Sequence, residues 1–447
     1  MSTIARIELW HVAVPLRATF RPSWIPGFPQ NENRFDVLRV ITDDGVEGFA
    51  AGPALGEERA GLGALLGPYL VGEDPTDIAL VQQRVREMGY LGWRNGWIEP
   101  AFWDIKGKLA KKPVYELLGG SARRVKLYAS TGQVRDAQAR IDECEQRYAE
   151  GFRAIKLRVH EDEAKDIAQV VEVAKALGGK MKIGVDANQG WRVAAIADAP
   201  LWDLARAKRF ADACADVGVA WIEEPLPMDA YEDLAALTAY SRVPIAGGEL
   251  HTQGLPELKH MIERRCYAVF QPDCVFTGGI AHTLEVARLC AQHDLGYTPH
   301  TWTNGFGFAA NLQVYGASGT ERDLEYPLDP PGWTVDRRDG CLIEPWAHDH
   351  GELALPTAPG LGFDVDMVAL RKWGRRFFVM NKLRLVAFAL LDRGLSAAQE
   401  IDAARKQRRA ASTSAPTTSA PAPAVSAPPP TGAPATPAPA ADPPSTP

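Results

Sequence analysis

The stretch Lys182-Ile183-Gly184-Val185-Asp186-Ala187-Asn188 reads as a short hydrophobic strand that ends on an acid. Two later stretches repeat the pattern: Ala220-Trp221-Ile222-Glu223-Glu224-Pro225 ends on Glu223, and Pro244-Ile245-Ala246-Gly247-Gly248-Glu249 ends on Glu249. The intervals between the three acids, roughly 25 to 40 residues, match one strand–helix repeat of a parallel α/β barrel. Consecutive strand ends of such a barrel surround one pocket. Carboxylates held there repel one another by about 4 kcal/mol per pair at about 4 Å and an effective dielectric near 20. A bound cation removes that cost, and an all-oxygen ligand set points to a hard ion, Mg²⁺ first.

Outward from these stretches the alternation continues. Strand candidates are Val125–Ser130, Ala154–Arg158, Lys182–Ala187, Ala220–Glu224, Pro244–Gly248, Ala268–Pro272, Tyr297–His300 and Leu324–Tyr326, most of them separated by helix-length segments. Eight such runs in about 200 residues predict a (β/α)₈-type barrel. A doubly wound sheet is the rival, but it needs a glycine-rich phosphate turn after its first strand, and Ser130-Thr131-Gly132-Gln133 is a poor one. Upstream, Ile4–Val14 and Val37–Thr42 are β-type, and Asp43-Asp44-Gly45 predicts a hairpin into Val46–Ala50. Arg21-Pro22-Ser23-Trp24-Ile25-Pro26-Gly27-Phe28-Pro29 is a loop unusually rich in aromatics. Helical patterns run from about residue 57 to 120, one of them Pro100 to Leu118, closed by Gly119-Gly120. From Ala411 the chain becomes Ala, Pro, Ser and Thr, too poor in apolar surface to offset its ordering entropy, and disorder is expected.

The bulk numbers bound the function. The chain has 447 residues, is 46% hydrophobic and 23% charged, and has a formal net charge of −7. This argues against a nucleic-acid or membrane surface. The six cysteines are scattered with no CxxC pair, which reads as reduced core thiols. With no signal-peptide pattern and no apolar run of membrane-spanning length, the expectation is a soluble cytoplasmic protein.

Other strand ends carry chemistry. Lys156 and Arg158 alternate on one strand and face the same side, a carboxylate-binding corner or else a solvated strand edge. Asp273 follows the sixth strand run and His300 the seventh. An Asp on one ring nitrogen fixes the tautomer and raises the basicity of the other, so the pair reads as a general acid/base dyad. Read singly, Asp273 would be a helix cap. Glu325 ends the eighth run, where it could donate or accept a substrate hydrogen bond, and Asn188 is either a substrate-orienting group or a loop capper. His160, His251 and His260 lack such pairing, although His251 lies close enough to Glu249 to line the pocket.

Taken in order, Lys156-x-Arg158, Val185-Asp186-Ala187-Asn188-Gln189, Trp221-Ile222-Glu223-Glu224-Pro225, Gly248-Glu249, Gln271-Pro272-Asp273, Pro299-His300 and Leu324-Glu325 resemble the enolase superfamily, and within it the mandelate racemase subgroup. The likeness spans about residues 4 to 390. It implies a modified (β/α)₇β TIM barrel over residues 126–340, an N-terminal α+β capping domain over 1–125 and a segment 341–405 that returns to the cap; the tail over 411–447, expected to be disordered from its composition, lies outside the likeness. It implies one Mg²⁺ on Asp186, Glu223 and Glu249, a small-molecule carboxylate as substrate, and a homo-oligomer. Proton removal α to the carboxylate would give an enediolate held by Lys156 and Glu325, with His300 and Asp273 as acid/base. The loop carrying Arg21, Trp24 and Phe28 would close over the substrate. One departure matters: the subgroup commonly has a lysine base where this chain has Arg158, and a guanidinium is a poor base. That favours a dehydratase of a sugar acid or related polyhydroxy carboxylate over a racemase, epimerase or cycloisomerase. A non-catalytic metal-binding interaction protein is the third reading.

Overall fold

β-Branched and aromatic residues at the N-terminus form β1 (Ile4–Phe20), β2 (Gln30–Thr42) and β3 (Glu47–Pro53), with Ile7 opposite Val40 and Leu9 opposite Leu38 in antiparallel register. The expected hairpin forms, with Gly45 at φ +84° donating its N–H to Thr42 O at 3.1 Å. The computed structural model describes residues 2–54, 67, 70–90, 94–159, 162–196, 199–251 and 253–414. His160, most of the helical pattern expected just after residue 57, and the tail beyond Ser414 lie outside the described residues.

One helical expectation is corrected. Pro100 to Leu118 is not one helix: it ends at Ala110, Lys111 turns left-handed at φ +56°, and Val114–Leu117 forms a separate turn. Pro113 is the cause, since it lacks an N–H and drives Lys112 out of the helical region. Downstream of the non-helical Gly394, helical backbone runs to Ser414, where the described residues end. Alanine favours the helix, and the first proline of the tail comes only at Pro416.

The barrel strands are β4 (Arg124–Ser130), β5 (Ala154–Arg158), β6 (Lys182–Asp186), β7 (Trp221–Glu223), β8 (Ile245–Gly247), β9 (Val269–Phe270), β10 (Gly296–Tyr297) and β11 (Leu324–Pro327). They are hydrogen-bonded in chain order, all parallel, and β11 returns to pair with β4, Leu324 opposite Leu127. No ladder joins β10 to β11; there Thr298 Oγ1 donates to Asp323 O at 3.1 Å. The circle is therefore an eight-stranded (β/α)₇β-type barrel with one loose seam. Asp136, Asp162 and Asp203 accept from the amides of Ala139, Lys165 and Arg206 and so start the helices after β4, β5 and β6. Inside, Gly184 is a close-approach position: a Cβ there would lie 2.1 Å from the Trp221 ring.

β12 (Glu352–Ala354) adds to β4, and β13 (Gly374–Asn381) returns to the cap, pairing antiparallel with β1. One buried acid of the cap ties it to the returning segment and another ties it to the barrel. Asp104 accepts from Leu361 N at 2.9 Å and Phe49 N at 3.2 Å. Glu99 accepts from Ile280 N at 2.7 Å and Ala281 N at 3.2 Å, the first amides of helix Ile280–Gln292. The loop after β1 is held at the carboxyl end of β4 by its own bonds, Ser23 N–H to Gly132 O at 2.9 Å and Arg21 N–H to Gln133 Oε1 at 3.1 Å. Beyond Leu385 the chain forms a second unit, whose helix is interrupted at Gly394 (φ 80°, ψ 174°). No helix among the described residues is long and apolar enough to cross a membrane. All six cysteines are free and buried.

Candidate active site

Strand register sets the site. Arg158 pairs laterally with Asp186, and Asp186 with Glu223, so three adjacent strand ends present a cation and two acids at one level. Lys156 and Arg158 are buried, which removes the solvated-edge reading. Lys156 Nζ lies 3.2 Å from Asp186 Oδ2, 2.6 Å from Glu223 Oε1 and 2.7 Å from Glu325 Oε1. Arg158 Nη1 donates to Asp186 Oδ2 and, at 3.1 Å, to Asn188 Oδ1, while its Nε donates to Thr131 O. Arg158 is thus a fixed counter-charge.

Glu249 lies two residues beyond β8 and points across the pocket, its Oε2 3.2 Å from His300 Nε2. The Asp273–His300 pair is brought together, with Asp273 Oδ2 2.9 Å from His300 Nδ1. Asp273 is placed both beside His300 and as a cap. Its other oxygen accepts from Val275 N and from Asn311 Nδ2, each at 2.8 Å, capping the turn Cys274–Thr277. This leaves His300 Nε2 to face the pocket. Burial opposes the imidazolium, but the charges of Glu249 and Glu325 and the bond from Asp273 outweigh it and raise His300 to about 10.

The acids differ. Burial raises Glu223 to about 7, with Lys156 pulling it down and Asp186, Glu325 and Glu249 pushing it up. Glu325 goes the other way: burial would raise it, but Lys156, His300 and the Thr301 amide hold it at about 2. It accepts from Ser130 Oγ at 2.7 Å and Thr301 N at 2.6 Å. In this arrangement Glu325 is an acceptor, and the donor role considered for it has no proton to offer.

The expected carboxylate triad needs one correction. Among the described residues no three His, Cys, Asp or Glu side chains stand as a ready-made ion cage. The reason is Lys156, whose ammonium neutralises Asp186 and Glu223 from between them, while Glu249 turns to His300. The donor chemistry nonetheless fits a hard divalent ion. The three carboxylates come from consecutive strands, all are buried, and burial with mutual repulsion raises both Glu223 and Glu249.

A cavity of about 320 Å³ opens on this cluster, lined in part by Trp24, Arg158, Asn188, Glu249, His300 and Trp302. A larger one of about 470 Å³ beside helix Ile78–Tyr90 contains none of the strand-end acids. Of the three loop residues expected at the substrate, Trp24 is in the lining. Arg21 is exposed and bonds Gly27 O of its own loop at 2.9 Å, and Phe28 is exposed; neither lines the cavity. Asn188, at φ +47°, is in the lining and accepts from both Arg158 and Ser23. His251 is turned to Glu257, 3.0 Å away.

Sequence reasoning missed Ser23, Ser130, Gln271 and Trp302. Ser130 Oγ accepts from Trp302 Nε1 at 2.7 Å, and Gln271 Nε2 donates to Glu223 Oε2 at 3.1 Å. Ser130 and Trp302 stand at or just past strand ends; a search of those positions for neutral polar and aromatic groups, besides charges, finds them.

The chain matches two family models: "Mandelate racemase / muconate lactonizing enzyme, N-terminal domain" over residues 7–119 and "Enolase C-terminal domain-like" over residues 139–369. It is 29% identical over 370 residues to the D-galactarolactone cycloisomerase of Agrobacterium fabrum, covering 77% of this chain and 94% of that one. It is 31% identical over 360 residues to the D-galactonate dehydratase of Ralstonia nicotianae, covering 74% and 89%. Among solved structures it resembles the L-talarate/galactarate dehydratase of Salmonella typhimurium, liganded with Mg and L-lyxarohydroxamate. There the TM-score is 0.72 and the identity 26%, covering 85% of this chain and 95% of the other.

Proposed function

The chain belongs to the mandelate racemase and muconate lactonizing enzyme family, and on that premise we propose that it is a Mg²⁺-dependent hydro-lyase acting on a sugar acid. The observation that carries this reading is the single base. His300, held by Asp273, faces the acids, whereas the other basic side chain lining the cavity among the described residues is Arg158, tied to Asp186 and permanently protonated. A racemase needs proton transfer on both faces of the α-carbon; an elimination needs one group that takes a proton and then gives it back.

Asp186, Glu223 and Glu249 would hold the ion. When bound, it would supply positive charge to the substrate's carboxylate. The protein's residues do the rest. His300 Nε2 takes the α-proton, and Asp273 keeps the ring aligned through Nδ1. Lys156 balances the negative charge that develops in the enediolate. His300 then returns its proton to the β-hydroxyl as the C–O bond breaks, water leaves, and the resulting enol tautomerises to a 2-keto acid. The likeness to a cycloisomerase supports a second reading, in which the leaving oxygen belongs to a lactone ring and no water is released.

A screen of acid sugars and their lactones with Mg²⁺, read by a carbonyl-specific reagent, tests both. Dehydration predicts 2-keto product from open-chain acids. It also predicts that His300→Asn cuts turnover by about 10²- to 10⁴-fold while Mg²⁺ still raises the melting temperature. Product from lactones alone would favour the second reading, and unchanged turnover in His300→Asn would remove that residue from the mechanism.

A further inference from the structure

Resting on the sugar-acid reading above, we propose that the substrate is a monocarboxylic sugar acid, an aldonate, and that Trp24 and Trp302 are the residues that exclude dicarboxylic aldarates. With the reacting carboxylate placed at the acids and the α-carbon at His300, the rest of the substrate meets the remaining lining of the cavity. That lining is largely aromatic and apolar: Trp24, Trp191, Leu250, Phe276 and Trp302. Trp24 and Trp302 form its corner, ring centroids 5.0 Å apart and inclined at 64°.

This wall is built rather than adaptable. The Trp302 N–H is fixed on Ser130, its ring stacks on Phe20 at 5.7 Å and packs on Trp333 at 5.0 Å, and Trp24 also meets Phe20 at 5.8 Å. Ser23, next to Trp24, donates its backbone N–H to Gly132 O at 2.9 Å and its hydroxyl to Asn188 Oδ1. Among the described residues of the lining the one arginine or lysine, Arg158, is already committed to Asp186, Asn188 and Thr131, and it lies 5.3 Å from the Trp24 ring and 5.7 Å from that of Trp302. A second carboxylate would therefore lose its water against indole rings without gaining a counter-charge. Hydroxyls fare better. Asn188 has its oxygen occupied and its amide N–H₂ left as a neutral donor, and Trp191 Nε1 is buried without a partner among the described residues. Both suit a hydroxyl oxygen.

The test compares five- and six-carbon aldonates with the aldarates of matching stereochemistry. Each is titrated in Mg²⁺ into His300→Asn enzyme and followed by tryptophan fluorescence and calorimetry, so that binding is read without turnover. The best aldonate is expected to bind at least 10-fold more tightly than its aldarate. Trp24→Arg, a change in a partly exposed loop side chain, is expected to shrink or reverse that ratio by supplying the missing cation. Aldarates binding as tightly as aldonates, no binding of any aldonate, or a ratio unmoved by Trp24→Arg would each overturn the proposal. Failure of the dehydration reading is distinguishable: the affinity order would hold while wild-type enzyme makes no 2-keto acid from the aldonate it binds.

Discussion

Arg158 makes three hydrogen bonds to the protein around it, two of them through one nitrogen. Its removal would leave Asp186 beside Lys156 and an empty, desolvated space. Arg158→Met is expected to destabilise the metal-free protein by about 3 to 5 kcal/mol, the usual cost of breaking a buried ion pair. Mg²⁺ should recover part of that loss, because a divalent ion can replace the missing charge. Thermal melts with and without Mg²⁺ check this; an unchanged melting temperature would show that Arg158 does not neutralise Asp186. At this scale the sequence was most legible where one side chain carries the chemistry. Asp186, Glu223, Glu249, Asp273 and His300 announce themselves as charged or titratable groups after short apolar runs. Ser23, Ser130 and Trp302 do not, because their roles arise only when residues 23 and 188, or 130 and 302, meet.

Among elements, the barrel strands were legible because both faces are buried and the runs are short and apolar. Their ends were less so. β9 and β10 have only two residues each, so Asp273 and His300 stand three residues beyond the last ladder pair, on backbone shaped by caps and turns. The return of β13 to β1 joins residues more than 360 positions apart, as in Arg6 opposite Asn381, and no local pattern encodes it. Trp221 inside the barrel gives an element-level prediction. The ring occupies the space left by Gly184 on the neighbouring strand. Gly184→Ala is expected to cost about 1 to 3 kcal/mol by overpacking, and to lower Mg²⁺ affinity, since Trp221 Nε1 donates to Glu223 Oε2 at 3.3 Å. Denaturant melts and Mg²⁺ titration measure both; a variant as stable as wild type would mean the strand can move aside.

For the cap and barrel as one molecule, Glu99 is the test of how they are fastened. Burial raises its carboxyl to about 7, against the pull of Trp103 and the Ile280 and Ala281 amides. A raised folded-state value means that the folded protein holds the proton more tightly than the unfolded chain, whose carboxyl titrates near 4.5. The favourable contribution is complete below about 4.5 and is lost as pH rises through about 7, at most about 3 kcal/mol. Glu99→Gln should flatten that part of the stability–pH curve. A variant whose curve keeps the wild-type slope between those limits would place the pH dependence elsewhere. The fold class could be read from the chain because the strand–helix repeat is regular, whereas the bonds that seat the cap join residues as distant as Glu99 and Ile280.

The most direct measurement is the anomalous scattering of crystals grown with Mn²⁺ in place of Mg²⁺. One strong peak per chain is predicted, bonded by carboxylate oxygens of Asp186, Glu223 and Glu249, with Lys156 displaced from between them and His300 Nε2 facing the same cavity. A peak at another cluster, or none at saturating Mn²⁺, would contradict the account.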